Sequence, residues 1–173
     1  MILLILTLLF GFPQENALQK AQKLTLQGLH GVQVLVEQIS PEMESDGLTR
    51  NQIQTDVELR LRKAGISVLT DKQSMAAPGA PYLYINVQSL KTKASSACQG
   101  YVYNLEVSLH QDVKIDRAVI PTLPDYRYQA SGVSTWRRAL IGIVPINQIA
   151  VIRGDIADLV DQFMNDYLAA NSK

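Results

Sequence analysis

The spacing of apolar and polar positions changes from strand to helix early in the chain. Residues 32–39 are β-branched and largely alternating, which predicts a strand with Val32, Val34 and Val36 on its buried face. Residues 49–65 then follow helical spacing. Thr49 and Gln52 have the separation of a capping box at a helix start. The apolar face of this helix comprises Ile53, Val57, Leu61 and Ala64.

The end of this helix is equally well marked. Gly65 follows it, where a left-handed C-terminal cap is favoured, and Arg62 and Lys63 in the last turn complement the helix dipole. Residues 66–69 predict a short strand. Two strands joined by a helix run parallel with a right-handed crossover, so residues 32–69 predict a β-α-β unit. Residues 40–47 and 76–81 are turn-rich and predict loops.

The second half of the chain predicts a meander of longer strands at residues 82–90, 101–115 and 127–136. The middle strand alternates cleanly, as an antiparallel sheet with one wet face requires. Its apolar set is Tyr103, Leu105, Val107 and Leu109, and its polar set is Asn104, Glu106, Ser108 and His110. A hairpin turn at residues 95 and 96 would place Tyr84 opposite Val107.

The last element is a strongly amphipathic helix that must pack on the sheet. Its apolar stripe comprises Ile149, Ile152, Ile156, Leu159, Val160, Phe163 and Tyr167. The predicted fold class is α/β (α+β). It has two layers, a mixed sheet in the order β-α-β-β-β-β-α and two helices packed on one face, which leaves the other face open to water or a partner.

The first twelve residues contain only Thr7 and Gly11 outside the strongly apolar set, and a polar run follows at residues 13–16. Twelve residues are fewer than the roughly 20 a spanning helix needs, but they fit the roughly 7–15 of a secretory signal core. We therefore expect a signal peptide or hydrophobic leader at residues 1–16 and a periplasmic or extracytoplasmic protein. A buried terminal strand or helix, or an uncleaved interfacial anchor, are the alternatives.

Behind this leader we expect a weakly amphipathic lead-in segment at residues 17–31 and a single α/β domain at residues 32–170. The chain of 173 residues is 47% hydrophobic and 18% charged, which is typical of a folded domain. Sixteen basic and sixteen acidic side chains give no net charge, so nucleic-acid binding is not expected. The single cysteine, Cys98, excludes an internal disulfide and a thiolate zinc site.

No catalytic motif is present in the sequence. It has no Gly-x-Ser-x-Gly elbow, no Ser-x-x-Lys and no glycine loop for phosphate or dinucleotides. His110 and Asp112 form a His-x-Asp pair that could hold a metal if a neighbouring strand supplied a third ligand, but a solvated strand face is the simpler interpretation. We expect no enzyme activity, no catalytic or metal residues and no cofactor. A small metal-dependent or hydrolase-like enzyme is the alternative.

Tyrosines recur in the pattern Tyr-x-Tyr. The pairs are Tyr82 and Tyr84, Tyr101 and Tyr103, and Tyr126 and Tyr128. Stacked rings could hold a small ligand, which makes a periplasmic ligand carrier a further alternative. Ordinary cross-strand packing accounts for the same pattern.

Residues 135–146 join the only tryptophan to paired arginines and an apolar stretch broken by Gly142 and Pro145. As a loop, this segment would have the composition of a protein interface or of a membrane-surface contact. The candidate binding residues are Trp136, Arg137, Arg138, Leu140, Ile141 and Ile143. The alternative is a buried connection, with both arginines paired to the last helix. We expect a protein partner or a homo-oligomer, and possible peripheral contact with a membrane surface.

The order of elements and the helix, glycine and strand junction of residues 49–66 resemble a bacterial envelope fold. This topology is similar to the amino-terminal domain of the translocation protein TolB and to the related domain of CsgG-like secretion lipoproteins, over residues 32–168. The resemblance implies a periplasmic domain that works by protein contact and assembly, without catalysis. No cysteine stands at the end of the leader to accept a lipid, and no functional residue carries over.

Overall fold

The computed structural model describes residues 16–95, 98–114 and 129–172. Its centre is a four-stranded sheet whose strands lie in chain order. These strands are β1 (Gln33–Val36), β2 (Tyr82–Ser95), β3 (Cys98–Lys114) and β4 (Gln129–Pro145). β1 is parallel to β2, and the other neighbouring pairs are antiparallel. The predicted α/β class, with a mixed sheet and two layers, is confirmed.

The helices are α1 (Ala17–Leu24), α2 (Pro41–Ser45), α3 (Arg50–Lys63), α4 (Asp71–Ala76) and α5 (Val151–Asn171), the last preceded by a 3₁₀ turn at Ile146–Gln148. α3 and α5 pack on each other; α3 also packs on β1, and α5 on β3 and β4. No helix in the described ranges is long and apolar enough to cross a membrane.

The local chemistry of α3 explains its position. The side chain of Thr49 accepts from the backbone of Gln52, and the side chain of Gln52 accepts from the backbone of Thr49, so the predicted capping box is present. Gly65 ends the helix with a φ of 77°, a conformation that side chains disfavour. The buried face of α3 comprises Ile53, Val57 and Leu61.

The predicted strand at residues 66–69 is wrong in extent. It contributes one parallel bridge, between Val32 and Val68, so the described sheet has four strands where the sequence predicts five. The bridge includes bonds from Val32 to the carbonyl of Ser67 and from Leu69 to the carbonyl of Val32. Thr70 then caps α4, which turns the chain away before a ladder can extend. The predicted loop at residues 40–47 likewise contains a helix, α2.

The prediction that residues 137–146 form a loop is also wrong. β4 continues to Pro145 and pairs with β3 as far as Gly100. Gly142 is present for a packing reason, because a Cβ there would lie 2.4 Å from the ring of Tyr103. Glycine therefore lets an aromatic ring lie against the strand, whereas the sequence pattern suggests a break.

The core lies between the helices and one face of the sheet. Trp136 of β4 is fully buried and meets Phe163 of α5 edge to face, with ring centroids 5.3 Å apart. The other large, fully buried residues of the core include Leu26, Ile39, Met43, Leu48, Ile53, Leu61, Ile66, Leu83, Ile85 and Tyr101. We call this side of the sheet the covered face and the opposite side the open face.

Candidate protein-contact surface

The six predicted binding residues lie on β4, where alternation divides them between the two faces of the sheet. Trp136 is fully buried on the covered face, and Arg138 and Leu140 are partly buried there. Arg137, Ile141 and Ile143 are exposed on the open face. The segment therefore does not form one continuous surface, and only its open-face half is accessible to a partner.

The covered half forms a network with α5. The indole Nε1 of Trp136 and Nη2 of Arg138 each donate to Oδ2 of Asp166 over 2.9 Å. The Arg138 guanidinium also lies over the indole, 4.8 Å from the ring centroid, and Nη1 donates to Gln22 of α1. These contacts hold β4, α5 and α1 together, so we interpret this half as structural.

Arg137 behaves differently from its neighbour. Its Nε lies 2.9 Å from Oε2 of Glu106, which belongs to the open face of β3. The alternative in which both arginines pair with the last helix therefore holds for Arg138 alone. More than half of the Arg137 side chain stays exposed, at 55%.

Ile141 and Ile143 belong to an apolar surface that spans three strands. Leu90 of β2 is the cross-strand partner of Val102 of β3, and Val102 is the partner of Ile143 of β4. Leu90, Ile141 and Ile143 are 71%, 77% and 78% exposed. Leu90, Val102, Ile141 and Ile143 are named here the open-face patch.

Polar side chains border the open-face patch on the open face. Asn104 of β3 pairs with Gln88 of β2 and with Ile141 of β4. Two residues further along β3, Glu106 forms its ion pair with Arg137. An apolar centre with a polar border that includes arginine is the arrangement of a protein interface. Single exposed apolar residues are ordinary on a protein surface, whereas a contiguous group indicates contact.

The opposite end of the open face is polar and aromatic. Tyr82 stacks on the imidazole of His110, with ring centroids 5.0 Å apart, and Tyr84 meets the same ring edge on at 5.4 Å. The Tyr84 hydroxyl donates to Oε2 of Glu37 over 2.6 Å. That hydrogen bond, with burial, raises the pKa of Tyr84 to about 12, and it holds the pKa of the Glu37 carboxyl below its usual range.

Both ring nitrogens of His110 are engaged by the protein. Nδ1 lies 2.8 Å from the carbonyl of Gly132, and Nε2 lies 3.0 Å from Oγ of Ser108, which is itself bonded to Glu106. Asp112, the other half of the His-x-Asp pair, accepts from the backbone nitrogen of Gly132. Within the described ranges no group of three or more His, Cys, Asp or Glu residues is placed to hold a metal.

The second tyrosine pair lies on the covered face, away from Tyr82 and Tyr84. Tyr101 donates to Asp46 and Tyr103 donates to Asp155. Burial, followed by that bond to Asp155, raises the pKa of Tyr103 to about 12. The third pair, at positions 126 and 128, lies outside the described residues. The two described tyrosine pairs therefore do not form one ligand platform.

Sequence reasoning missed Leu90 and Val102 as members of the surface. They become neighbours of Ile143 only through the register of three strands, which no short motif encodes. The signal that could have found them is alternation along their own strands, because Leu90 shares a face with Gln88 on β2 and Val102 shares a face with Asn104 on β3.

Comparison with known proteins adds no assignment, because no family model, curated protein or solved structure matches the chain. The similarity to the amino-terminal domain of TolB and to CsgG-like domains stays a prediction. The leader, apart from Asn16, lies outside the described residues, so it too stays a prediction.

Proposed function

We propose that this chain is an exported, non-enzymatic domain of the cell envelope that acts through protein-protein contact, with a partner protein or with a second copy of itself. The observation that carries the proposal is the open-face patch. Three of its members, Leu90 on β2 and Ile141 and Ile143 on β4, are more than two-thirds exposed, and Val102 of β3 lies between the two strands.

The shape and border of the patch favour a protein as its occupant. Backbone pairing holds β2, β3 and β4 in one surface, so its apolar side chains need little ordering when a partner binds. The ion pair between Arg137 and Glu106 lies at the border, where charge contributes more to specificity than to affinity.

Export is supported by the sequence of the leader alone. The apolar run of residues 1–12 has the length of a secretory signal core. A metal site at His110 is not favoured, because Ser108 and Gly132 engage both of its ring nitrogens.

Crosslinking in cells tests both parts of the proposal. A photoreactive phenylalanine analogue replaces Ile143 in the full-length chain, and the matched control carries it at Leu59, an exposed apolar position on α3. We expect position 143 to give one discrete adduct in the extracytoplasmic fraction, with a partner or a second copy, and position 59 to give none. Fractionation to the cytosol would contradict export, and the absence of a discrete adduct from position 143 would contradict protein contact.

A further inference from the structure

Helix α1 has an apolar stripe that faces away from the protein. Ala17, Leu18, Ala21 and Leu24 follow the spacing of one helix face. All four are exposed, with Leu18 at 68% and Leu24 at 62%. An amphipathic helix on a globular domain normally packs its apolar face against the core. The apolar face of α1 points toward solvent instead. We name these four residues the α1 stripe.

Polar contacts from the opposite side of the helix hold α1 in this orientation. Gln22 accepts from Arg138 over 2.8 Å, and Lys23 lies 3.2 Å from Asp166. Thr25 at the helix end donates to the carbonyl of Thr135, and the next residue, Leu26, is fully buried in the core. The polar side of α1 is thus attached to β4 and α5, and the stripe points outward.

We propose that α1 rests on a lipid bilayer, with the α1 stripe inserted at the interface between headgroups and acyl chains. The chain itself indicates this occupant. Only four residues separate the apolar run of residues 1–12 from Ala17, so a retained leader in the bilayer would bring the stripe to its surface. Lys20, exposed on the same helix, can extend its charge toward anionic headgroups.

The two apolar segments would act together. A stripe of two leucines and two alanines is small, and stable attachment to a membrane generally takes two signals. Residues 1–12 would supply attachment, and the α1 stripe would fix the orientation of the domain on the bilayer. This inference shares the leader with the proposed function but does not depend on the open-face patch.

A fluorescent label sensitive to polarity tests the position of the stripe. Cys98 is replaced by serine in the full-length chain, and the label is attached to a cysteine introduced at Ala21 or, as control, at Leu59. The chain is mixed with vesicles of phosphatidylethanolamine and phosphatidylglycerol that contain nitroxide lipid. We expect a blue shift and quenching at position 21 and neither at position 59.

A stripe variant with Leu18→Gln and Leu24→Gln sharpens the test. We expect it to sediment with vesicles through its leader but to lose the quenching at position 21. Three results would overturn the inference: no binding of the wild-type chain to vesicles, a vesicle-bound chain with an unquenched label at position 21, or the same blue shift without vesicles, which would mean that protein covers the stripe. Crosslinking from position 143 reports separately on the proposed function, because Ile143 lies on the open face.

Discussion

The indole nitrogen of Trp136 donates a hydrogen bond of 2.9 Å to the carboxylate of Asp166, which fixes the fully buried tryptophan of β4 to α5. The same carboxylate oxygen accepts from Arg138, and its other oxygen lies 3.2 Å from Lys23. One acidic side chain, only 13% exposed, therefore joins the sheet to two helices.

Removal of this carboxylate should destabilise the domain. Asp166→Ala leaves the indole N–H and the guanidinium of Arg138 without their acceptor, and we expect a loss of about 2–3 kcal/mol in the free energy of unfolding. Urea denaturation measures it. Asp158→Ala, at an exposed position of the same helix, is the control and should change stability by less than about 0.5 kcal/mol. Equal losses in the two variants would show that the Asp166 network has no special role.

Two glycines provide opposite tests of packing. Gly142→Ala would place a Cβ 2.4 Å from the Tyr103 ring and displace it from Asp155, so we expect destabilisation by about 1–3 kcal/mol. Gly154→Ala lies in α5 with no atom within 4 Å of the new Cβ. It should stabilise by about 0.5–1 kcal/mol through helix propensity. Thermal unfolding compares them, and a neutral Gly142→Ala would contradict the packing explanation of β4.

The loss of stability at high pH should reflect Tyr84 and Tyr103, whose pKa values are raised in the folded protein. Folding raises the pKa of Tyr103 from 10.0 to about 12, and Tyr84 shows a shift to about the same value. The folded protein therefore retains protons that the unfolded chain releases. This contribution to stability is complete below pH 10 and is lost as the pH rises through about 12.

Urea midpoints between about pH 9 and about pH 12 measure this loss, and tyrosinate absorbance follows the titration itself. Tyr103→Phe should reduce the alkaline slope, because one of the shifted groups is gone. A variant with the wild-type slope would show that Tyr103 does not titrate with unfolding.

The open-face patch should matter little to stability. Ile141→Ser and Ile143→Ser remove exposed side chains, and each should change the free energy of unfolding by less than about 0.5 kcal/mol. Leu140→Ser, on the neighbouring covered face, is the matched control and should cost about 2 kcal/mol or more. Denaturation of the purified chain measures all three. Large losses at positions 141 and 143 would assign the patch to the fold.

The helices with clear period and caps were predictable from the sequence. α3 begins at its capping box and ends at Gly65, and α5 buries the apolar stripe that its spacing indicates. Local interactions determine these features, so a single sequence contains them. The class of the fold follows from the same elements.

The sheet was predictable only in part, because its details depend on contacts between distant residues. Gly142 and Pro145 suggest a loop, but Tyr103 needs the glycine and β3 pairs with the whole segment. The predicted hairpin places Tyr84 opposite Val107, whereas Tyr84 pairs with Ser108. A shift of one residue transfers a side chain to the other face, so Tyr84 lies on the open face.

The candidate surface was predictable to the same limited degree. Ile141, Ile143 and Arg137 are on the open face, but Trp136 and Arg138 are part of the structural network with α5. Composition identifies residues that are enriched at interfaces, and those residues are equally suited to a core. Only the alternation of β4, once it is known to be a strand, separates the two groups.

The accessibility of single cysteines in intact cells tests whether the chain is exported and whether a partner covers the open-face patch. In the full-length chain with Cys98→Ser, a cysteine replaces either Ile143 or the control residue Leu59, and a maleimide that cannot cross the cytoplasmic membrane is added before lysis. We expect position 59 to be labelled in intact cells, and position 143 to be protected there but labelled after denaturation. Equal labelling of both positions would show that nothing covers the open-face patch, and labelling of neither before lysis would contradict export.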